Sequence, residues 1–132
     1  MTALTRYFFD TVYFPRGAWP VVRWWEARRG VYNLAVGSAG FLSLGAAVLV
    51  EGLPPIGAVG AMVAIYGLAA NMCYSLGAVA DLMARRFGGP DFAPVGPALL
   101  RYGFVFSVGV TLLPIPMLVI SGAFRLLALL LR

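Results

Sequence analysis

Histidine is absent from the 132 residues of this chain, and cysteine occurs once. Without imidazole there is no His-ligated haem, pigment or zinc, and no Ser-His-Asp triad. The lone Cys73 cannot close an intramolecular disulfide or build a metal cluster. Its place within an apolar stretch fits a small buried hydrophobe. Lysine is also missing, Asp and Glu together number 5, and charged residues make up only 11% of the chain. Soluble domains carry roughly 25% charged residues to keep their surfaces wet. No Gly-rich phosphate loop follows a strand pattern, and no internal repeat of useful length is present. These absences predict no cofactor, no metal site and no enzymatic activity.

Apolar length fills the space. The chain is 61% hydrophobic, with a mean hydropathy of +0.89. Three apolar stretches cover residues 31–50, 55–80 and 102–124. A helix needs roughly 20 mostly apolar residues to cross a hydrocarbon layer. The composition therefore predicts an all-α membrane protein with three transmembrane helices, with no room for a separate soluble domain. Residues 1–30 form a cytoplasmic or interfacial segment, and residues 31–132 form one transmembrane helical domain. Charges and prolines occupy the first 30 residues, with no short apolar run before a cleavage site, so the N-terminus is expected to be retained.

The N-terminal segment combines Arg6, Arg16, Arg23, Arg28 and Arg29 with Tyr7, Phe8, Phe9, Tyr13, Phe14, Trp19, Trp24 and Trp25. Such rings settle at headgroup level, and arginines reach lipid phosphates. Pro15, Gly17 and Pro20 prevent one continuous helix. Residues 20–29 are expected to form a short helix that lies in the interface or leads into the first span. Arg23, Trp24, Trp25, Glu26, Arg28 and Arg29 make a candidate contact face for anionic headgroups or a partner protein. With Tyr32 and Asn33 they spell Trp-Trp-Glu-x-Arg-Arg-x-x-Tyr-Asn before a span. This string resembles one found in small uncharacterised bacterial integral membrane proteins. The resemblance covers about a dozen residues and implies no activity.

Small residues recur along the spans. Ala39, Ser43 and Ala47 share one helical face of the first span, and Gly60, Ala64, Gly67 and Asn71 share one face of the second. Small faces let helices approach closely in lipid, where association depends on packing. Asn71 is strongly polar near the middle of its span and should face protein, bridging to a neighbouring helix's hydroxyl or backbone carbonyl. The turn at residues 51–55 is rich in proline and should return the second helix antiparallel beside the first. That helix is expected to run on to Phe87, with Asp81 and Arg85 paired four residues apart at headgroup level. Residues 91–97 read as a loop. Pro114 and Pro116 should kink the third span. A re-entrant hairpin turning there is the alternative.

Arg6, Arg16, Arg23, Arg28, Arg29, Arg85, Arg86 and Arg101 fall on one side of such a three-span arrangement, against Arg125 and Arg132 on the other. The positive-inside rule then places the N-terminus in the bacterial cytoplasm and the C-terminus outside. The basic charge serves topology and anionic lipid, not nucleic acid. Function reads as a non-enzymatic membrane subunit, either within a larger complex or self-associating. A homo-oligomeric transporter or channel lined by Asn71, Tyr66, Thr111 and the kinked helix is the alternative. It lacks the mid-depth carboxylate on which proton-coupled carriers rely.

Overall fold

A computed structural model of the chain describes residues 17–88 and 95–131. Residues 1–16, 89–94 and 132 lie outside the described residues, and with them about half of the N-terminal segment, the first part of the expected loop and the arginine at the chain's end. The described chain is entirely helical: α1 (Ala18–Glu51), α2 (Ile56–Gly88), α3 (Gly96–Leu112) and α4 (Pro114–Leu130). Taken as one bent unit, α3 and α4 give the third of three helices long and apolar enough to cross a membrane.

Helix α1 starts after Gly17, whose backbone is extended. Pro20 lies in its first turn, where the missing N–H has no intrahelical partner to lose. Residues 20–29 therefore lead straight into the first apolar stretch, and α1 runs unbroken across the expected boundary at residue 30. It ends because Gly52 takes φ 90°, a conformation open to glycine. The Gly52 N–H donates to Val48 O at 3.0 Å and closes the last turn. Pro55 O then accepts from Ala58 and Val59 at 2.9 and 3.2 Å, which starts α2. The helix begins at Gly96, so the expected loop is shorter than residues 91–97 at its far end. Pro97 is tolerated in the first turn of α3.

The bend between α3 and α4 falls at Leu113. Its backbone remains helical, at φ −54° and ψ −35°, and its N–H donates to Val110 O at 3.3 Å. Pro114 and Pro116 lack the N–H groups that would continue the regular ladder, so the helix bends without reversing. Arg125 of α4 reaches Glu51 at the end of α1, at 3.4 Å. The chain thus continues away from Arg101, and the hairpin alternative is not adopted. Replacing Pro114 with Ala should restore a donor for Val110 O and relax the bend. Spin labels at residues 103 and 124 would then move apart, whereas an unchanged distance would place the cause of the bend elsewhere.

Helices α1 and α2 are antiparallel, but burial is uneven along them. The buried core of Val21, Trp24, Trp25, Tyr32, Val36, Tyr74 and Leu100 sits toward the arginine-rich end. On α1 the buried positions Val21, Trp25, Arg28, Tyr32, Val36, Ala39 and Ser43 follow three- and four-residue steps, one helical stripe. At the other end, every α2 residue from Ile56 to Tyr66 except Val59 is exposed.

Candidate functional site

The polar groups that the fold brings together centre on Asp81. This carboxylate is fully buried near the C-terminal end of α2. Trp25 Nε1 donates to its Oδ2 at 3.1 Å, and Arg85 Nε donates to its Oδ1 at 3.0 Å. The i,i+4 pair expected from sequence is therefore present, but it does not sit exposed at headgroup level. Trp25 of α1 and the start of α3 cover it. A Cβ on Gly96 would come within 2.5 Å of Asp81 Oδ2, so only glycine lets the first turn of α3 approach this closely. A negative charge there also complements the positive end of the α3 dipole.

Aromatic rings continue the junction inward. Trp25 meets Trp24 edge-on at 5.5 Å between centroids and Tyr74 at 5.2 Å. Tyr32 lies 4.6 Å from Tyr74 and 6.4 Å from Phe104 of α3. Edge-on pairs suit the ring quadrupoles. The hydroxyls are used as well. Tyr74 donates to Trp25 O at 2.6 Å, and Tyr32 contacts Ala70 O at 3.2 Å and Ser107 Oγ at 3.0 Å. Gly77 makes room for the indole, since a Cβ there would meet Trp25 Cη2 at 3.0 Å.

The string proposed as an outward contact face is divided by this packing. Arg23 and Glu26 are exposed. Trp24, Trp25 and Arg28 are buried, because the helical repeat turns them toward α2 and α3. Arg28 donates to Trp24 O at 3.0 Å and stacks 4.0 Å over the Trp24 ring. Arg29 bridges two environments. It forms an ion pair with Glu26 at 2.7 Å, and its hydrogen bond holds the Glu26 carboxyl below its ordinary pKa. It also donates to Asn71 Oδ1 and Ser75 Oγ, both at 3.1 Å.

Asn71 therefore faces protein, but its cross-helix partner is an arginine rather than a hydroxyl or a backbone carbonyl. Its own Nδ2 donates to Gly67 O at 3.0 Å within α2. Ala39 and Ser43 are buried and Ala47 is half-buried. Ser43 donates to Thr111 O at 2.6 Å, and Thr111 Oγ1 bonds Ser107 O and the Tyr66 hydroxyl. Gly67 is half-buried, whereas Gly60 and Ala64 are exposed.

Sequence reasoning missed Tyr32, Tyr74, Ser107, Gly77 and Gly96 as junction residues. For Tyr32 the signal was available in its spacing from Trp25 and Arg28 on one stripe. For Gly77 and Gly96 there was none, because their roles depend on helices distant in sequence. An apolar groove of about 250 Å³ opens between α2 and α3, floored by Trp25 and Tyr74 and edged by Tyr102 and Phe106. No group of three or more His, Cys, Asp or Glu able to hold a metal occurs among the described residues. Comparison with protein-family models, curated proteins and solved structures found no match, so the functional reading rests on the residues and geometry above.

Proposed function

We propose that this chain is a non-enzymatic integral protein of a bacterial cytoplasmic membrane, and that it serves as an accessory or structural subunit of a larger membrane complex. The observation that carries this reading is the division of labour within the bundle. The buried polar residues Arg28, Ser43, Asp81 and Thr111 are each hydrogen-bonded to the chain's own groups. Asp81, Ser43 and Thr111 bond across helices, to Trp25, to Thr111 O and to Tyr66, while Arg28 bonds within α1. Meanwhile the outer half of α2 presents Gly60 and Ala64 uncovered, a surface on which another helix can pack closely.

Depth supports the same reading. A hydrocarbon layer of about 30 Å takes roughly 20 helical residues. Counted from Glu51 and Ile56, it ends near Val31 and Ser75. Trp25, Asp81 and Leu100 then fall on the cytoplasmic side, where water drives rings together. The exposed stretch from Ile56 to Tyr66 falls in lipid, where no such force acts between helices. Arg23, Arg86 and Arg101 are exposed at the packed end, consistent with an N-terminus in the cytoplasm, a C-terminus outside and contact with anionic headgroups.

The test is a gentle-detergent pull-down from native membranes through an N-terminal tag. Stoichiometric recovery of other membrane proteins supports the subunit reading. Recovery of this chain alone, as a discrete oligomer, overturns it in favour of transport. One observation favours that second reading: a line of bonded polar groups, Tyr32–Ser107–Thr111–Tyr66, runs along the helix interface toward the bend. Replacing Asn71 with Leu separates the two. Lost solute flux with intact assembly would mark a path, and lost assembly would mark an interhelical clamp.

A further inference from the structure

Helix α2 is longer than a membrane is thick. Its outer end carries Ile56, Met62, Val63 and Ile65 exposed, and lipid takes such side chains without cost, which sets the hydrocarbon layer at that end. The layer uses up roughly 20 residues. Residues 76–88 then project about 20 Å past it, whereas the headgroup layer on each side is only about 5–8 Å deep. A tilt of about 20° still leaves Phe87 clear of the headgroups. Apolar side chains are exposed on the projecting part too. Leu76, Val79, Met83 and Phe87 recur at three- and four-residue steps, one helical stripe, and are between 44% and 82% exposed. In lipid such a stripe needs no cover, but in water it does. Arg86 flanks the stripe, exposed and without an ion pair among the described residues. Glu26, the exposed carboxylate described at this end, is already held by Arg29.

We propose that this stripe is the docking face for an acidic amphipathic helix of a partner protein, lying outside the bilayer on the side that the reading above makes cytoplasmic. The inference rests on that membrane placement, and it names a partner chemistry for the subunit reading. A phospholipid headgroup lies too low to cover Met83 and Phe87. A second copy inserts in the same direction and would set Arg86 against Arg86, a like-charge contact that works against pairing. Residues 1–16 carry Arg6 and Arg16 against Asp10, so they do not supply the opposite charge. A helix with apolar residues at the same repeat packs along Leu76 to Phe87, and carboxylates on its flank meet Arg86. Arg23 of α1, exposed and also without an ion pair among the described residues, adds to the positive field at this end.

The experiment uses the full chain in its native membrane, with the photo-crosslinker p-benzoylphenylalanine introduced at Phe87. Irradiation is expected to give an adduct with a second protein. The linked peptide, read by mass spectrometry, should come from a helix that combines an apolar stripe with carboxylates and lies outside any span. Arg86→Glu should lower the adduct on the order of tenfold, because like charges oppose docking, and Arg86→Lys should keep most of it. With the crosslinker at Met83 instead, Phe87→Ser should cause a similar loss. Arg86 is exposed, so thermal unfolding of Arg86→Glu in detergent should match that of the parent and exclude misfolding as the cause. An adduct with phospholipid, with a second copy or within this chain overturns the proposal. So does the absence of any adduct, a linked peptide without carboxylates, or an adduct indifferent to Arg86→Glu. Other membrane proteins recovered in the pull-down while Phe87 captures no protein would sink the docking face and spare the subunit reading. An acidic adduct at Phe87, with the chain recovered alone in the pull-down, would do the reverse.

Discussion

Replacing Asp81 with Ala is expected to destabilise the bundle by about 3–5 kcal/mol, the usual consequence of removing one partner of a buried charge pair. Trp25 Nε1 and Arg85 Nε share this carboxylate as acceptor, so both lose it together. The start of α3 also loses the negative group packed against Gly96. Asp81→Asn should lose less, since one oxygen still accepts. The double change Asp81→Leu with Arg85→Leu should fall closer to the parent than Asp81→Ala alone, because apolar replacement of a whole buried pair is often neutral. Thermal unfolding in detergent, followed by tryptophan fluorescence, measures all three. A loss for Asp81→Ala within about 0.5 kcal/mol, the range of ordinary surface substitutions, would mean that the junction is not buried as described.

Trp25→Ala should cost a similar amount, about 3–5 kcal/mol for a large ring removed from a packed site. Trp25 is 2% exposed, and it touches Trp24, Tyr74, Asp81 and the space above Gly77. Gly77→Leu in the parent should cost about 1–3 kcal/mol, because the rigid indole is 3.0 Å from the new Cβ and overpacking strains both. In the Trp25→Ala background the same leucine enters the vacated space. The two changes should therefore combine to less than their sum, with coupling on the order of 1–3 kcal/mol. Simple additivity would show that Gly77 and Trp25 do not meet.

Both expectations concern the arginine-rich end of the bundle, and so does most of what sequence could not reveal. The number of long apolar helices, the position of the bend and the Asp81–Arg85 spacing were all legible. Each depends on local rules: apolar length, proline's missing donor and the four-residue helical repeat. The glycine that ends α1 was equally legible as part of the turn at residues 51–55.

The misjudged residues share a different cause. Trp24, Trp25 and Arg28 look like an anchoring belt, because amphipathic rings and arginines before a span usually face headgroups. Here α2 and α3 extend beyond the apolar stretches and cover them. Asp81 looked solvated because it ends an apolar run, yet Trp25 and Gly96 close over it. Asn71 needed a partner, but only the packing of α1 on α2 brings Arg29 to it.

The sequence by itself determined that this is a chain of three long apolar helices with most of its arginines set toward one end of them, because length, hydropathy and charge act locally along the chain. The tertiary structure decided that the arginine-rich end is a packed aromatic junction around a buried carboxylate and that the outer half of α2 stands clear. Those outcomes depend on which residues of separate helices arrive at the same height, and no local rule contains that information.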